Sequence, residues 1–147
     1  MINFKLSPEN FNNLMVEHRI VPITFLNLEH YIKLIETCIV HFNEEIEWDD
    51  MHTITDAIKR IKNGMVMYVG MTDTGVLGYV WFTDHLDGRR LFNLFVRNKV
   101  DKKDYSGKEF LSNVISKFES TAAIYSEVDE WNEKSIKLFQ RLGFQVQ

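Results

Sequence analysis

The sequence predicts a single α/β domain, residues 1–147, with an antiparallel meander at its centre. Two changes of hydrophobic period carry that prediction. Helical spacing dominates from 27 to 62, gives way to strand-like stretches from 65 to 100, and after 107 helical and extended pieces alternate. Size is the third observation: 147 residues and 17.4 kDa suit one core and one site. With 45% hydrophobic and 26% charged residues, the chain is neither fibrous nor disordered in type.

Residues 3–18 are irregular, but Ser7-Pro8-Glu9-Asn10 offers an N-cap and a proline at the first helical position, which predicts a short helix over 8–16. Residues 20–26 are β-branched and aromatic and predict a strand. Asn27 then caps a helix whose apolar stripe is Ile32, Ile35, Ile39 and Phe42. A second amphipathic helix starts near Met51, uses Ile54, Ala57, Ile58 and Ile61, and stops at Asn63-Gly64. Strands follow over 65–71, 76–83 and 90–100, separated by turn sequences at 73–75 and 85–88. After Ser106-Gly107 a helix presents Phe110, Leu111, Val114, Ile115 and Phe118 on one side. Then come a strand over 122–128, a helix over 132–142 ended by Gly143, and the start of a last strand at 144–147. The predicted order is strand, two helices, three strands, helix, strand, helix, strand.

Charge and composition exclude several function classes. A net charge of -4 argues against general nucleic-acid binding, which draws on excess Lys and Arg to neutralise phosphates. No apolar run approaches the roughly 20 residues of a membrane-spanning helix, and the N-terminus lacks a secretory layout, so a cytoplasmic protein without a membrane partner is expected. Cys38 is the one cysteine, which excludes an internal disulfide and a thiolate cluster; its apolar neighbours predict a buried, inert thiol. Among His18, His30, His41, His52 and His85 no two stand four apart, and no metal is expected.

The chemistry lies in the last third. From Asn132 to Phe144 the chain runs Asn-Glu-Lys-Ser-Ile-Lys-Leu-Phe-Gln-Arg-Leu-Gly-Phe. An Asn at the mouth of a strand caps the next helix and can reach a ligand arm, while Gly143 supplies a left-handed cap before the closing strand. Together with the element order, this segment resembles the acetyl-CoA-binding half of GNAT-type N-acetyltransferases. The resemblance spans about Val66 to the C-terminus; before that only the element order matches. It implies a GNAT-like mixed, mostly antiparallel sheet, splayed between strands four and five, with helices on both faces. The gap would admit the pantetheine arm of acetyl-CoA, held by the backbone of Leu94, Phe95 and Val96 and by Asn132.

The same resemblance implies a loop that holds the CoA pyrophosphate on backbone NH groups and a helix N-terminus. Aligning the family's apolar pair on Phe110-Leu111 puts its basic position on Lys102 and its two small positions on Tyr105 and Gly107. Ser106, Gly107 and Lys108 are then the phosphate-facing residues. Tyr105 departs from the pattern, since a side chain there opposes close backbone approach. Glu109 also opposes a phosphate, an effect that Lys103 and Lys108 offset.

Attack of an amine on a thioester requires a base for the amine proton and a donor for the departing thiolate. Glu127 and Asp129, at the end of the fifth predicted strand, are the candidate bases. Family members often use a Tyr on the last helix as the donor; the matching position is Phe139, so Tyr125, Ser135 or Tyr105 would have to substitute. The acidic run Glu44, Glu45, Glu47, Asp49 and Asp50 around Trp48 would attract a cationic amine, whether a small molecule or a protein. Set against the family pattern, the expectation is that the last hairpin is shortened, removing part of the acceptor wall and leaving a strand edge open to self-association. The final helix also resembles GNAT-like proteins of short-tailed phages. Two expectations follow: an acetyl-CoA-dependent N-acetyltransferase, or a catalytically inactive binding or structural protein with protein partners in a phage assembly, either a virion component or a host-targeting one.

Overall fold

Alternating burial in the extended segments and helical stripes between them build the architecture. The computed structural model describes residues 1–7, 19–46, 53–72, 75–85, 88–97, 107–118 and 123–147. In chain order the elements are β1 (Ile2–Leu6), β2 (Arg19–Ile23), α1 (Ile32–Glu45), α2 (Ile54–Lys62), β3 (Val66–Thr72), β4 (Gly75–His85), β5 (Gly88–Val96), α3 (Gly107–Ser116), β6 (Ala123–Val128), α4 (Glu133–Arg141) and β7 (Gln145–Val146). The strands form one sheet in the order β2-β3-β4-β5-β6-β1-β7, antiparallel at every step except β5 to β6. The mixed, mostly antiparallel sheet is therefore the one the sequence predicts, with helices on both faces.

The N-terminus departs from the expectation. Residues 2–6, read as irregular or lying before the first element, form β1, which runs between β6 and β7. Its alternation explains the strand: Phe4 and Leu6 are buried, Asn3 is exposed and Lys5 half-buried. Phe4 pairs with Ser126 on one side and with Val146 on the other. The place beside β6 is thus filled from the start of the chain, and β7, two residues long, forms the outer edge. The helix expected over 8–16 lies outside the described residues, as do Glu47, Trp48, Asp49 and Asp50.

Asn27 does not cap the first helix. Its side chain turns back to β2, its Oδ1 accepting from the Thr24 amide at 2.8 Å and its Nδ2 donating to the Pro22 carbonyl at 2.9 Å. A single 3-10 turn, Leu28–Tyr31, then leads into α1. Thr53 caps α2, accepting from the Asp56 amide at 3.2 Å, so that helix begins three residues later than the apolar stripe predicts. α2 ends at Asn63-Gly64 and α4 at Gly143, where φ is 92° and a side chain would strain the turn into β7.

Burial divides the core into two layers. Phe110, Leu111, Val114 and Ile115 of α3, with Phe139 and Leu142 from α4 and its end, pack on one face against Phe4, Leu77 and Phe82. On the other face α1 and α2 bring Ile35, Cys38, Phe42 and Ile61 onto Met67, Tyr79, Trp81 and Phe95. Cys38 is fully buried and its thiol pKa is pushed up to about 12, first by desolvation, so it is the inert core thiol expected from its neighbours.

Candidate functional site

The sheet opens where β5 meets β6. Parallel pairing joins Gly88 to Ala123, Arg89 to Ile124 and Arg90 to Tyr125, and no later rung joins the two strands. β5 and β6 are the fourth and fifth predicted strands, since β1 was not foreseen, so the splay falls where the sequence places it. The paired end is drawn tight by Gly88: a Cβ there would collide with the Ala123 carbonyl oxygen and come 3.2 Å from the Tyr125 ring.

Beyond Arg90, β5 changes character. Tyr79 pairs with Phe95 and Trp81 with Phe92, two steps on β4 against three on β5, so β5 carries one extra residue. That bulge contains Asn93, whose φ of 44° is left-handed, a conformation in which Asn is enriched among non-glycine residues. Bulges of this kind re-aim backbone groups, and this one sits at the parting of the strands. Leu94, Phe95 and Val96 follow it along the gap. Phe95 is buried against Phe42 and Tyr79, with ring centroids 5.3 and 5.5 Å away, whereas Leu94 and Val96 are half-buried towards α3 and α4.

The open end of β5 is secured from the side away from β6. The Arg97 amide donates to the Leu77 carbonyl at 2.9 Å and its Nη1 to the Val76 carbonyl at 3.1 Å. Its Nε lies 4.0 Å from Glu45 at the end of α1. Of the acidic run expected to attract a cationic amine, two members are described: Glu45 is engaged by Arg97, and Glu44 is exposed, 3.8 Å from His41.

On β6, Tyr125 and Glu127 point to the face that also carries Arg90 and, from β1, Lys5. Glu127 forms an ion pair with Arg90, Oε2 to Nη2 at 2.9 Å. The guanidinium of Arg90 lies 4.7 Å from the centre of the Phe92 ring, and Lys5 Nζ lies 5.6 Å from that of Tyr125. Asp129 is separated from this group: it lies past the strand end, where its carbonyl accepts from the Asn132 amide at 2.9 Å in the turn towards α4. Of the two candidate bases, only Glu127 therefore belongs to the cluster at the parting.

Asn132 heads α4 as expected, its Oδ1 accepting from the Ser135 amide at 3.2 Å. Trp131 beside it is exposed. Phe139 is a core residue, its ring centroid 5.5 Å from Phe4 and 4.9 Å from Phe144. Gly107 and Lys108 open α3, with Lys108 exposed and Glu109 in the same turn. Lys102, Tyr105 and Ser106 lie outside the described residues. Reading residues alone missed Arg90, the Asn93 bulge and β1. A signal existed for the bulge, because Asn within an apolar strand marks a place where φ can turn positive.

By sequence the chain matches no family model and no curated protein. By structure it resembles several solved proteins. One is a tandem GNAT protein from the clavulanic acid biosynthesis pathway, with a TM-score of 0.65 and 11% identity over 99% of this chain and 49% of that one. Another is the aminoglycoside N-acetyltransferase AAC(6')-Iy in complex with CoA, with a TM-score of 0.52 and 18% identity over 89% of this chain and 90% of that one. A third is the aminoglycoside acetyltransferase meta-AAC0020 from an uncultured soil metagenomic sample, in complex with sisomicin, with a TM-score of 0.54 and 10% identity over 90% and 89% of the two chains. The chain spans about half the length of the tandem protein and of two other structures that it matches. None of its described helices is long and apolar enough to cross a membrane. In its strand order, its splay and its helical layers, this chain has the fold of the GNAT N-acetyltransferases.

Proposed function

We propose that the chain is an acyl-CoA-dependent N-acyltransferase that moves an acetyl group from acetyl-CoA to a primary amine. The observation that carries this reading is the parting of β5 and β6 beside the Asn93 bulge. A strand that loses its neighbour exposes backbone donors and acceptors to whatever enters, and an extended amide-bearing arm such as pantetheine is complementary to them. Backbone groups of Leu94, Phe95 and Val96 would pair with that arm, and Asn132 would hold it from the α4 side. Lys102, Ser106, Gly107 and Lys108 would meet the pyrophosphate at the head of α3. Two of the solved structures, in complex with CoA and with an aminoglycoside, support amine acetylation as the reaction class.

In the proposed step the amine nitrogen attacks the thioester carbonyl, forming a C–N bond while the C–S bond breaks and its electron pair leaves with sulfur. Glu127 takes the proton that the nitrogen sheds, and Tyr125 supplies one to the sulfur. Asp129, outside the cluster, is the weaker candidate for the base. Residues on the acceptor side bind before the reaction; those on the α3 and α4 side position the thioester.

Isothermal titration with acetyl-CoA tests the reading: saturable binding in the wild type and its loss in Asn132→Ala support it. Absence of heat and of a thermal shift at millimolar acetyl-CoA would overturn it. A second reading, favoured by the burial of Phe139 where the family often has a proton donor, is a module that uses the same groove for binding without transfer, as in the phage-like alternative. Binding of acetyl-CoA with no amide product from any amine supplied would favour that reading.

A further inference from the structure

We propose that the acceptor carries a carboxylate next to its amine, and that Arg90 and Glu127 read the two charges together as an amphoteric subsite; this inference rests on the acyl-transfer reading above. The two side chains project from adjacent strands on the face not covered by α3 and α4, and their partnership spans the point where those strands part. Arg90 belongs to the last shared rung, opposite Tyr125, while Glu127 stands two residues beyond it. Their charged atoms meet at 2.9 Å, yet the side chains are 32% and 42% exposed, so a ligand arriving from solvent can reach both.

Three features make the pair fit for recognition beyond its own closure. Arg90 lies over Phe92, its guanidinium carbon 4.7 Å from the ring centre, which fixes the plane of its donors. A guanidinium presents several N–H groups in a fork matched to a carboxylate, more than a single oxygen of Glu127 occupies. Lys5, from the strand on the other side of β6, brings a second cation to the same face, over the Tyr125 ring. Among the described residues, two cations stand against one carboxylate at this point.

That balance selects among amines. A polycation would meet Arg90 and Lys5 as like charges, and Glu45 at the end of α1 already faces Arg97. A molecule with an ammonium and a carboxylate on neighbouring atoms inserts into the ion pair without leaving either member uncompensated: its carboxylate takes the place of Glu127 on Arg90, and its ammonium takes the place of Arg90 on Glu127. The exchange leaves both charges compensated, and a pair this exposed opens at little cost. Phe92 and Tyr125 supply the apolar walls.

Direct binding tests this without any acyl transfer. Phenylalanine and phenethylamine differ only in the carboxylate, and the full chain is titrated with each in the absence of acetyl-CoA. Phenylalanine is expected to bind about tenfold more tightly, and R90Q to bring it down to the level of phenethylamine. Equal affinities in the wild type, an equal loss of both probes in R90Q, or no binding of either at millimolar concentration would overturn the proposal. Should R90Q fail to fold, as judged by circular dichroism, E127Q reads the subsite from its other side. It is expected to weaken both amines, and no effect on either would overturn the proposal. A parallel titration with acetyl-CoA separates the two claims: loss of acetyl-CoA binding with the phenylalanine preference intact would sink the transfer reaction and leave the subsite standing.

Discussion

The two ends of β5 live in different surroundings. Gly88, Arg89 and Arg90 are paired on both sides, with β4 and with β6, whereas Phe95 and Val96 are paired with β4 alone. The first end behaves as the interior of a sheet. The second keeps its course without a neighbour because other contacts replace it: Phe42 of α1 packs on Phe95, and Arg97 ties the strand end to the carbonyls of Val76 and Leu77. A gap in a sheet is therefore held open by strengthening the strand beside it from the opposite edge and face. The Asn93 bulge divides the two regimes.

Substitutions at each regime sharpen this contrast. The largest effect is expected from Gly88→Val, because the clash is with the Ala123 backbone rather than with a side chain that can move. A loss of about 3 kcal/mol in urea denaturation is the expected outcome, and near-wild-type stability would show that the closed end tolerates separation. Arg97→Ala comes next, at about 2 kcal/mol, from the lost charged hydrogen bond to the Val76 carbonyl and the lost ion pair with Glu45. It should also weaken acetyl-CoA binding, whereas Gly88→Val acts on stability first. Asn93→Val places a β-branched residue at a φ of 44° and is expected to cost about 1.5 kcal/mol, while Asn93→Gly is close to neutral. If the valine variant keeps both stability and cofactor affinity, the bulge is not the divider.

Smaller again is Phe139→Tyr, which restores the residue type that the family often carries. Its hydroxyl would enter the packing between Phe4 and Phe144, costing about 1 kcal/mol. No gain in turnover is expected, and a gain would show that the ring reaches the reacting sulfur. At neutral pH the smallest effect belongs to titration beneath the open end. Burial raises the pKa of Cys38 from 9.0 to about 12, and burial also raises Tyr79, which stacks on Phe95. Both groups hold their protons more tightly when folded. Their contribution is fully present below their unfolded pKa values and is lost as the pH rises from about 9 towards the folded values. Thermal melts should be flat from neutrality to that point and then fall, with Cys38→Ala softening the decline.

Periodicity made most of the fold legible. The stripes of α1, α2 and α3 and the alternation of β3 to β6 are local patterns, and the structure reproduces them with shifted ends. β1 was illegible for a physical reason: its alternation spans only five residues, and the strand is stabilised by partners far along the sequence. The site was legible in part. Asn132 was legible as a helix cap and Glu127 as a residue near a strand end, because caps and strand ends are encoded locally. Arg90 was illegible because its ion-pair partner Glu127 is far along the sequence, whereas Asp129 lies just past the end of β6, where the sequence places it. The likeness to short-tailed phage proteins rests on the final helix alone.

The threading of β1 sets the order in which the molecule can be completed. During synthesis residues 2–6 emerge well before their partners Ile124 to Val128 and Gln145-Val146. Until then Phe4 has neither Phe139 nor Phe144 to cover it, and the groove that it will fill stays open to water. Such long-range pairing slows folding, because the entropy of closing the loop is spent before the contact rewards it. β1 thus acts as a late-arriving seal, and segments that fold early must wait for it before the face below the site becomes dry.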